Sequence, residues 1–270
     1  MAQPAAAGAS PWPARRRRAE HLRERYPFAA EVLTLYLALL EVQEPAYDSA
    51  AAREPEPAAL LEAAVRELLP RVVEVTVAAG PARLAESVVA RFHGADQVEL
   101  VGRWLRGPGG GGEQALVDRY LARAVTAPLL EAASPAALTV LCPGPRGALG
   151  CPRCGGPPQL SFFAPSNDPL VTGPRHLVCA RCGGDWVHPR MVCAGCGEET
   201  SARLPVYSEA EHLPHLRIDG CETCRRYLVG IDPRRDAAAV PVVDELAALP
   251  LDLYARERGL TKVVPNLMGM

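Results

Sequence analysis

The sequence predicts an α+β protein: a helical N-terminal part, then two small β-rich modules that carry four cysteines each, and a C-terminal helix. Three observations support this prediction. Up to about residue 132, apolar residues recur at the three- and four-residue spacing of amphipathic helices. Beyond residue 150, short β-prone pieces separated by turn residues replace that spacing. Eight of the nine cysteines lie in this later part, as four Cys-x-x-Cys pairs.

The N-terminal part divides into a tail and a helical domain. Residues 1–14 are rich in Ala and Pro and are predicted to form a disordered tail. Residues 15–132 are predicted to form an all-α domain of four to six helices, starting with the run RRAEHLRERYPFAAEVLTLYLALLEVQ. Pro70 is expected to kink or divide the second helical run, and Gly80-Pro81 to end one helix and begin the next.

Two segments of the first 150 residues are predicted to lack regular structure. GPGGGG, at 107–112, indicates a flexible loop, and it lacks the Lys-Ser/Thr ending of a phosphate-binding loop. Residues 133–150 are rich in Pro and Gly and are predicted to link the helical domain to the cysteine-rich part. Cys142 lies alone in this linker, and we expect an ordinary thiol there in preference to a metal ligand.

The hydrophobic pattern favours residence in the cytoplasm. No apolar stretch approaches the length of about 18 residues that a transmembrane helix requires. Four arginines at 15–18 precede an apolar run, but Glu20, Glu24 and Glu31 stand between the arginines and that run, which is not the pattern of an export signal. In the reducing cytoplasm, clustered cysteine pairs favour metal binding over disulfides.

The four cysteine pairs form an internal repeat. They begin at residues 151, 179, 193 and 221, so the second two repeat the first two with an offset of 42 residues. Each unit reads CxxC-x24-CxxC, which predicts a module at 151–190 and another at 191–270. A rival pairing would join the two central pairs across ten residues and leave the outer pairs to each other. We favour the sequential pairing because it keeps the repeat.

Each unit is predicted to bind one metal ion. A Cys-x-x-Cys turn points two sulfurs at one cation, and two such turns make a tetrahedral site of four thiolates. Spacing alone does not distinguish zinc from iron, because both suit this geometry. The predicted ligands are Cys151, Cys154, Cys179 and Cys182 in the first site, and Cys193, Cys196, Cys221 and Cys224 in the second.

Four thiolates leave no coordination position for water, so these sites are predicted to stabilise the fold and not to catalyse hydrolysis. We therefore expect no catalytic residues, no organic cofactor and no enzyme activity. Trp186 is expected to pack over a small core. The neighbouring histidines are expected at the surface or beside the sites, not among the ligands: His176, His188, His212 and His215.

The charge distribution bears on nucleic-acid binding. Residues 151–270 contain 13 Arg and Lys against 14 Asp and Glu, and the whole chain has a formal net charge of −2. Proteins that hold phosphate backbones usually carry a basic excess. A zinc-ribbon that binds nucleic acid is therefore an alternative of lower rank, and a metal-based electron carrier is a second alternative.

The assembled motifs resemble those of the formate dehydrogenase accessory (FdhE) family along nearly the whole chain. The first helical run looks like that family's opening helix. The segment LVCARCGGDWVHPRMVCAGC fits its central motif, in which Trp186 and Arg190 stand between two cysteine pairs. CETCRRYL and the helix DELAALPLDLYARERG resemble the family's last metal-binding turn and the helix after it, and PNLMGM matches the family's tail in part.

This resemblance implies a helical domain followed by two rubredoxin-like modules. It also implies an accessory protein that binds the catalytic subunit of formate dehydrogenase in the cytoplasm and is needed for its maturation. Rubredoxin-type iron is the metal that the resemblance implies, with zinc as the alternative. Neither nucleic acid nor a stable membrane insertion is expected.

Overall fold

A computed structural model of the protein describes residues 10–107, 115–164, 173–267 and 269. Two predicted features extend outside these ranges: residues 1–9 of the tail and residues 108–112 of the glycine-rich loop. Within the described ranges, no helix has the length and apolar character needed to cross a membrane. The predicted α+β class is confirmed, with helices first and a sheet after them.

The described residues of the predicted helical domain form seven α-helices, more than the four to six predicted, and an eighth helix lies in the predicted linker. They are α1 (Trp12–Arg25), α2 (Ala30–Arg53), α3 (Pro57–Glu62), α4 (Leu69–Ala79), α5 (Ala82–Gly94), α6 (Gln97–Arg106), α7 (Leu116–Ala132) and, in the linker, α8 (Pro135–Leu141). A π-helical stretch, Ala63–Leu68, joins α3 to α4 without a gap, so the helical run continues past Pro70 and changes its helix type just before that residue. The predicted break at Gly80-Pro81 is confirmed, because it separates α4 from α5.

Helix α1 begins at Trp12, inside the segment that was predicted to be a tail. The indole of Trp12 is 2% exposed, and it packs on the ring of Tyr47 with 5.6 Å between ring centroids. Pro13 lies in the first turn, where its missing N–H costs no hydrogen bond. The prediction of a disordered tail is therefore wrong for residues 12–14, because burial of one large aromatic side chain holds them.

Two further helical segments extend beyond what the sequence predicted. Helix α2 continues through Pro45 to Arg53, because the long apolar face of α2 packs on α1, α4 and α7. The predicted linker contains α8, whose first turn is capped by the Ser134 side chain, which accepts a hydrogen bond from the amide of Ala137 at 3.3 Å. The prediction of an irregular segment over 133–150 is therefore wrong for α8.

The described residues of the later part form seven strands in one sheet. They are β1 (Pro158–Phe163), β2 (Arg175–Cys179), β3 (Asp185–Val187), β4 (Val206–Ser208), β5 (Leu216–Cys221), β6 (Arg226–Ile231) and β7 (Thr261–Lys262). The order is β3-β2-β1-β6-β5-β4, and β7 pairs with β6. The two cysteine units thus share one sheet, joined by parallel pairing of β1 with β6, where Leu160 is opposite Val229.

Two buried cores connect the helices to the sheet. One lies among α2 to α8 and includes all four cysteines of the first unit. The other lies between the sheet, helix α1 and the C-terminal helices α9 (Pro241–Asp244) and α10 (Leu249–Glu257). The first unit is therefore built into the helical part, and its environment is not that of a separate module.

A buried ion pair ties α1 to the C-terminal helices. Arg18 Nε donates to Asp244 Oδ2 at 3.0 Å, and His215 Nε2 lies 2.8 Å from Asp244 Oδ1. The Val240 amide also donates to Asp244 Oδ2 at 2.7 Å. The Asp244 side chain is 0% exposed, so these partners replace the water that the carboxylate has lost.

Candidate metal centres

The first four-cysteine group has the geometry of a tetrahedral metal site. The Sγ atoms of Cys151 and Cys182 are 3.7 Å apart, and those of Cys154 and Cys179 are 3.4 Å apart. All four sulfurs lie within 4.8 Å of one another. Metal–sulfur bonds of about 2.3 Å place tetrahedral sulfurs about 3.8 Å apart, so this group could hold a metal ion.

The second group repeats this arrangement. Cys193 and Cys224 have their sulfurs 3.8 Å apart, and Cys196 and Cys221 have theirs 3.7 Å apart. These spacings are far longer than the disulfide bond of about 2.05 Å, so these cysteines are not joined in disulfides. The sequential grouping predicted from the 42-residue repeat is the one that the structure shows, and the rival pairing is wrong.

Tight turns aim the sulfurs. In three of the four turns, the glycine after the second cysteine donates its amide to the carbonyl of the first, as Gly155 does to Cys151 at 2.8 Å. Amides inside the turns also point at sulfur: Gly195 N donates to Cys193 Sγ at 3.3 Å. Such N–H groups stabilise the negative charge of a thiolate. These contacts explain why a four-residue segment is enough to hold two ligands in place.

The glycines of these turns have left-handed backbones, and they differ in the space around them. Gly155 has φ +70° and Gly183 has φ +65°. A Cβ on Gly155 would lie 2.9 Å from Pro145 O, whereas one on Gly183 would meet nothing closer than Glu131 Cδ at 3.5 Å. The fourth turn has Arg225 at the same place with φ 55°, so the turn tolerates a side chain where there is room.

We expect Gly183→Ala to lower the free energy of unfolding by about 1–2 kcal/mol, the cost of a left-handed backbone for a residue with a Cβ. Gly155→Ala should cost more, because its Cβ would also collide with a backbone carbonyl. Chemical denaturation of the two variants measures the difference. Equal losses would contradict the steric argument, and Gly147→Ala, whose Cβ has open space, is the matched control.

The two centres differ in exposure. In the first, every cysteine is at most 4% exposed. In the second, Cys196 is exposed, Cys193 and Cys224 are half-buried, and Cys221 is buried. Burial raises the pKa of the Cys179 thiol well above its usual value and that of Cys193 to about 12. A cation must displace these protons, so metal binding should weaken as pH falls.

With metal bound in both centres, we expect a chelator to remove the metal of the second centre at least about tenfold faster, because exposed ligands open with less unfolding. A colorimetric chelator added to the loaded protein should show two phases of equal amplitude. The double variant Cys193→Ala with Cys196→Ala should lose the fast phase alone. A single phase, or loss of the slow phase in that variant, would contradict the assignment.

Cys142 is closer to the first centre than the sequence suggested. It is 0% exposed and belongs to the same buried core as the four ligands. A hydrogen bond to Cys154 and its own burial raise the pKa of the Cys142 thiol. Among the described residues, the four-sulfur group does not include it. The sequence around Cys142 did not predict this contact, because Cys142 reaches the first centre only through the position of helix α8, which was not predicted.

The histidines named from the sequence lie outside both four-sulfur groups. His215 is 3% exposed and contacts Asp244, and His188 is 5% exposed with Nε2 3.2 Å from Val192 O. His212 is exposed, and His176 lies 2.5 Å from Asp185 Oδ2. Trp186 packs against both the helical core and a small sheet core, as predicted.

Part of the chain is similar in sequence to known proteins. A family model described as "FdhE, C-terminal domain" matches residues 191–268. A "Protein FdhE homolog" of Aquifex aeolicus is 38% identical over 119 residues, which are 44% of this chain and 41% of that protein. One of Pseudomonas putida is 34% identical over 128 residues, 46% of this chain and 40% of that protein. The aligned part thus spans about two fifths of these relatives' length.

A solved structure has the same fold along nearly the whole chain. It is "The crystal structure of the FdhE protein from Pseudomonas aeruginosa", with a TM-score of 0.63 and 18% identity, and it covers 95% of this chain and 94% of that one. Fold and site therefore define an α+β protein in which helices and one sheet carry two four-cysteine groups. The C-terminal sequence is similar to that of FdhE proteins, and the fold is similar along nearly the whole chain, which agrees with the resemblance seen in the sequence.

Proposed function

We propose that the chain is an accessory factor that binds the catalytic subunit of formate dehydrogenase in the cytoplasm and is needed for its maturation. In this proposal it is not part of the finished enzyme and catalyses no reaction itself. It binds two metal ions through thiolates of the two centres, the first with Cys151, Cys154, Cys179 and Cys182, the second with Cys193, Cys196, Cys221 and Cys224.

The observation that carries the proposal is the coincidence of two features in one chain. Residues 191–268 match the FdhE C-terminal domain, and the two sulfur groups have tetrahedral spacing. The likeness to the FdhE crystal structure shows that the fold is shared beyond the matched domain. The formate dehydrogenase partner comes from the family's known role, which the resemblance implies for this chain.

The centres support a structural role in this function. Four thiolates fill a tetrahedral shell, so bound zinc would stabilise the fold and bound iron would add a one-electron couple. The first centre lies inside the core between α7, α8 and the sheet, where it fixes the position of the sheet against the helices. A partner that docks on both parts would then meet a surface of constant shape.

The proposal is tested by capture from native cytosol. The tagged chain, purified with its metal content measured, is expected to enrich the formate dehydrogenase catalytic subunit, identified by mass spectrometry. Cells that lack the chain should contain the catalytic subunit but have low formate dehydrogenase activity.

The control is Cys142→Ala, which removes a buried thiol and keeps all eight proposed ligands. It should retain both capture and activity, whereas the variant with Cys193→Ala and Cys196→Ala should lose them. Normal formate dehydrogenase activity in cells that lack the chain, together with no enrichment by metal-loaded protein, would contradict the proposal.

One observation favours a second function, that of an electron carrier. Cys196 is exposed, which would bring a redox metal in the second centre close to the surface. Purified protein would then be coloured, and it would bleach reversibly on reduction. A colourless protein with about two zinc ions would exclude this second function and leave the accessory role untouched.

A further inference from the structure

A cavity of about 210 Å³ lies beside the second four-cysteine centre. Its wall includes Cys193 and an apolar part formed by Phe163, Tyr227 and Val263. Four arginines also line it, from β2, from the turn after β3, from β5 and from β6: Arg175, Arg190, Arg217 and Arg226. Among the described lining residues, Asp219 is the one carboxylate, so the wall carries a net excess of three positive charges.

Arg175 is the buried base of this cavity. It is 4% exposed, and its two Nη atoms are used: one donates to Val192 O at 3.2 Å and the other to Asp219 Oδ2 at 3.0 Å. Its Nε is buried and has no hydrogen-bond partner among the described residues. A buried N–H of a cation without an acceptor is costly, and an anion in the cavity would relieve that cost.

Arg217 lines the cavity as well, and it forms an ion pair with Asp219. Its Nε lies 2.8 Å from Asp219 Oδ1, but both atoms lack the alignment of a hydrogen bond and are buried. Asp219 thus faces two guanidinium groups and neutralises one charge at most. This arrangement places several guanidinium groups around one small cavity, as in sites that bind carboxylate or phosphate through arginine forks.

Stacking on Phe163 holds two of the arginines in place. The guanidinium of Arg217 is 4.6 Å from the centroid of the Phe163 ring, and that of Arg190 is 5.1 Å from it. Arg190 also donates to Gly173 O at 2.5 Å. Side chains held in this way lose little freedom when a ligand binds, which favours binding.

The competing explanation for the arginine cluster is that it balances the negative charge of the metal-loaded second centre. Four thiolates around a divalent ion leave two negative charges, and Arg226 serves that purpose because it donates to Gly195 O, inside the turn that holds Cys193 and Cys196. Charge compensation does not explain Arg175, whose buried Nε has no hydrogen-bond partner among the described residues. The compensation therefore accounts for part of the cluster and leaves the buried donor of Arg175 unexplained.

We propose that this cavity binds the oxyanion group of a small molecule, a phosphate or a carboxylate, between Arg175, Arg190 and Arg217. The apolar wall beside these donors accommodates the body of such a ligand. The site adjoins the second centre without using its sulfurs as ligands. It is independent of the proposed accessory role, since it would bind its anion with or without a protein partner.

The test uses the full, metal-loaded chain and measures binding by isothermal titration, with inorganic phosphate and acetate in separate arms. Ionic strength is held constant with chloride. At least one of the two anions is expected to bind saturably with one site per chain. Arg190→Gln and Arg217→Gln should each weaken that binding about tenfold or more, because each removes a charged donor.

The matched control is Arg234→Gln. Arg234 stacks on the same Phe163 ring at 5.8 Å but does not line the cavity, so binding should be unchanged. Arg190 is exposed, so its variant should fold and keep both metal ions, which elemental analysis checks. The proposal is overturned if neither phosphate nor acetate binds beyond the effect of chloride, or if Arg190→Gln and Arg217→Gln bind as tightly as Arg234→Gln.

Discussion

Replacing Cys151 and Cys154 together with alanine is expected to abolish the cooperative thermal transition of the protein. Structural zinc in small modules contributes about 10–16 kcal/mol, as large as the whole stability of a typical domain, about 5–15 kcal/mol. The first centre is also part of the helical core, so its loss should loosen α7 and α8 as well as the sheet. Circular dichroism during heating measures the effect.

The second centre provides the comparison. The variant with Cys193→Ala and Cys196→Ala should lose one metal ion and local structure around β4, but keep a cooperative transition, because these cysteines are outside the main cores. Cys142→Ala should lower the melting temperature only as loss of a small buried side chain does. A first-centre variant that melts like the wild type would contradict the role assigned to that centre.

The second large effect is expected from removal of Arg18, the buried cation that pairs with Asp244 and connects α1 to α9. Arg18→Ala leaves the Asp244 carboxylate fully buried with His215 as its remaining side-chain partner, and breaking a buried pair in this way costs about 3–5 kcal/mol. Denaturant unfolding measures the loss. Limited proteolysis should also cut α1 earlier, because that contact holds the helix against α9.

Two variants isolate the electrostatic cause. Arg17→Ala changes the exposed neighbour and should alter stability by less than about 0.5 kcal/mol. Adding Asp244→Asn to Arg18→Ala removes the stranded negative charge and should recover part of the loss. If Arg18→Ala and Arg17→Ala have equal stability, the buried pair does not hold α1.

The grouping of the eight paired cysteines was the most predictable part of the molecule. Cysteine pairs act over four residues, and their 42-residue repeat favoured the grouping of pairs that the structure shows. Cys142 could not be assigned in this way, because its approach to Cys154 depends on α8. The four arginines that line the cavity beside the second centre come from four separate segments, and no short motif brings them together.

Helix boundaries were harder to predict, for reasons visible in single residues. Trp12 orders a segment that looked like a tail by composition, because its ring is buried against Tyr47. Helix α6 escaped prediction although Asp96 caps it, accepting a hydrogen bond from the Glu99 amide at 3.0 Å. The joining of β1 to β6 depends on tertiary packing, and the repeat predicted two modules without showing that they share a sheet.

Elemental analysis combined with native mass spectrometry of freshly purified, folded protein tests the central claim most directly. That claim is that eight thiolates, four in each centre, bind two metal ions and thereby hold the sheet and helices together. The measurement is expected to show about two ions of zinc or iron per chain, and loss of compactness when they are removed. A compact, thermally cooperative chain that contains no bound metal would contradict it.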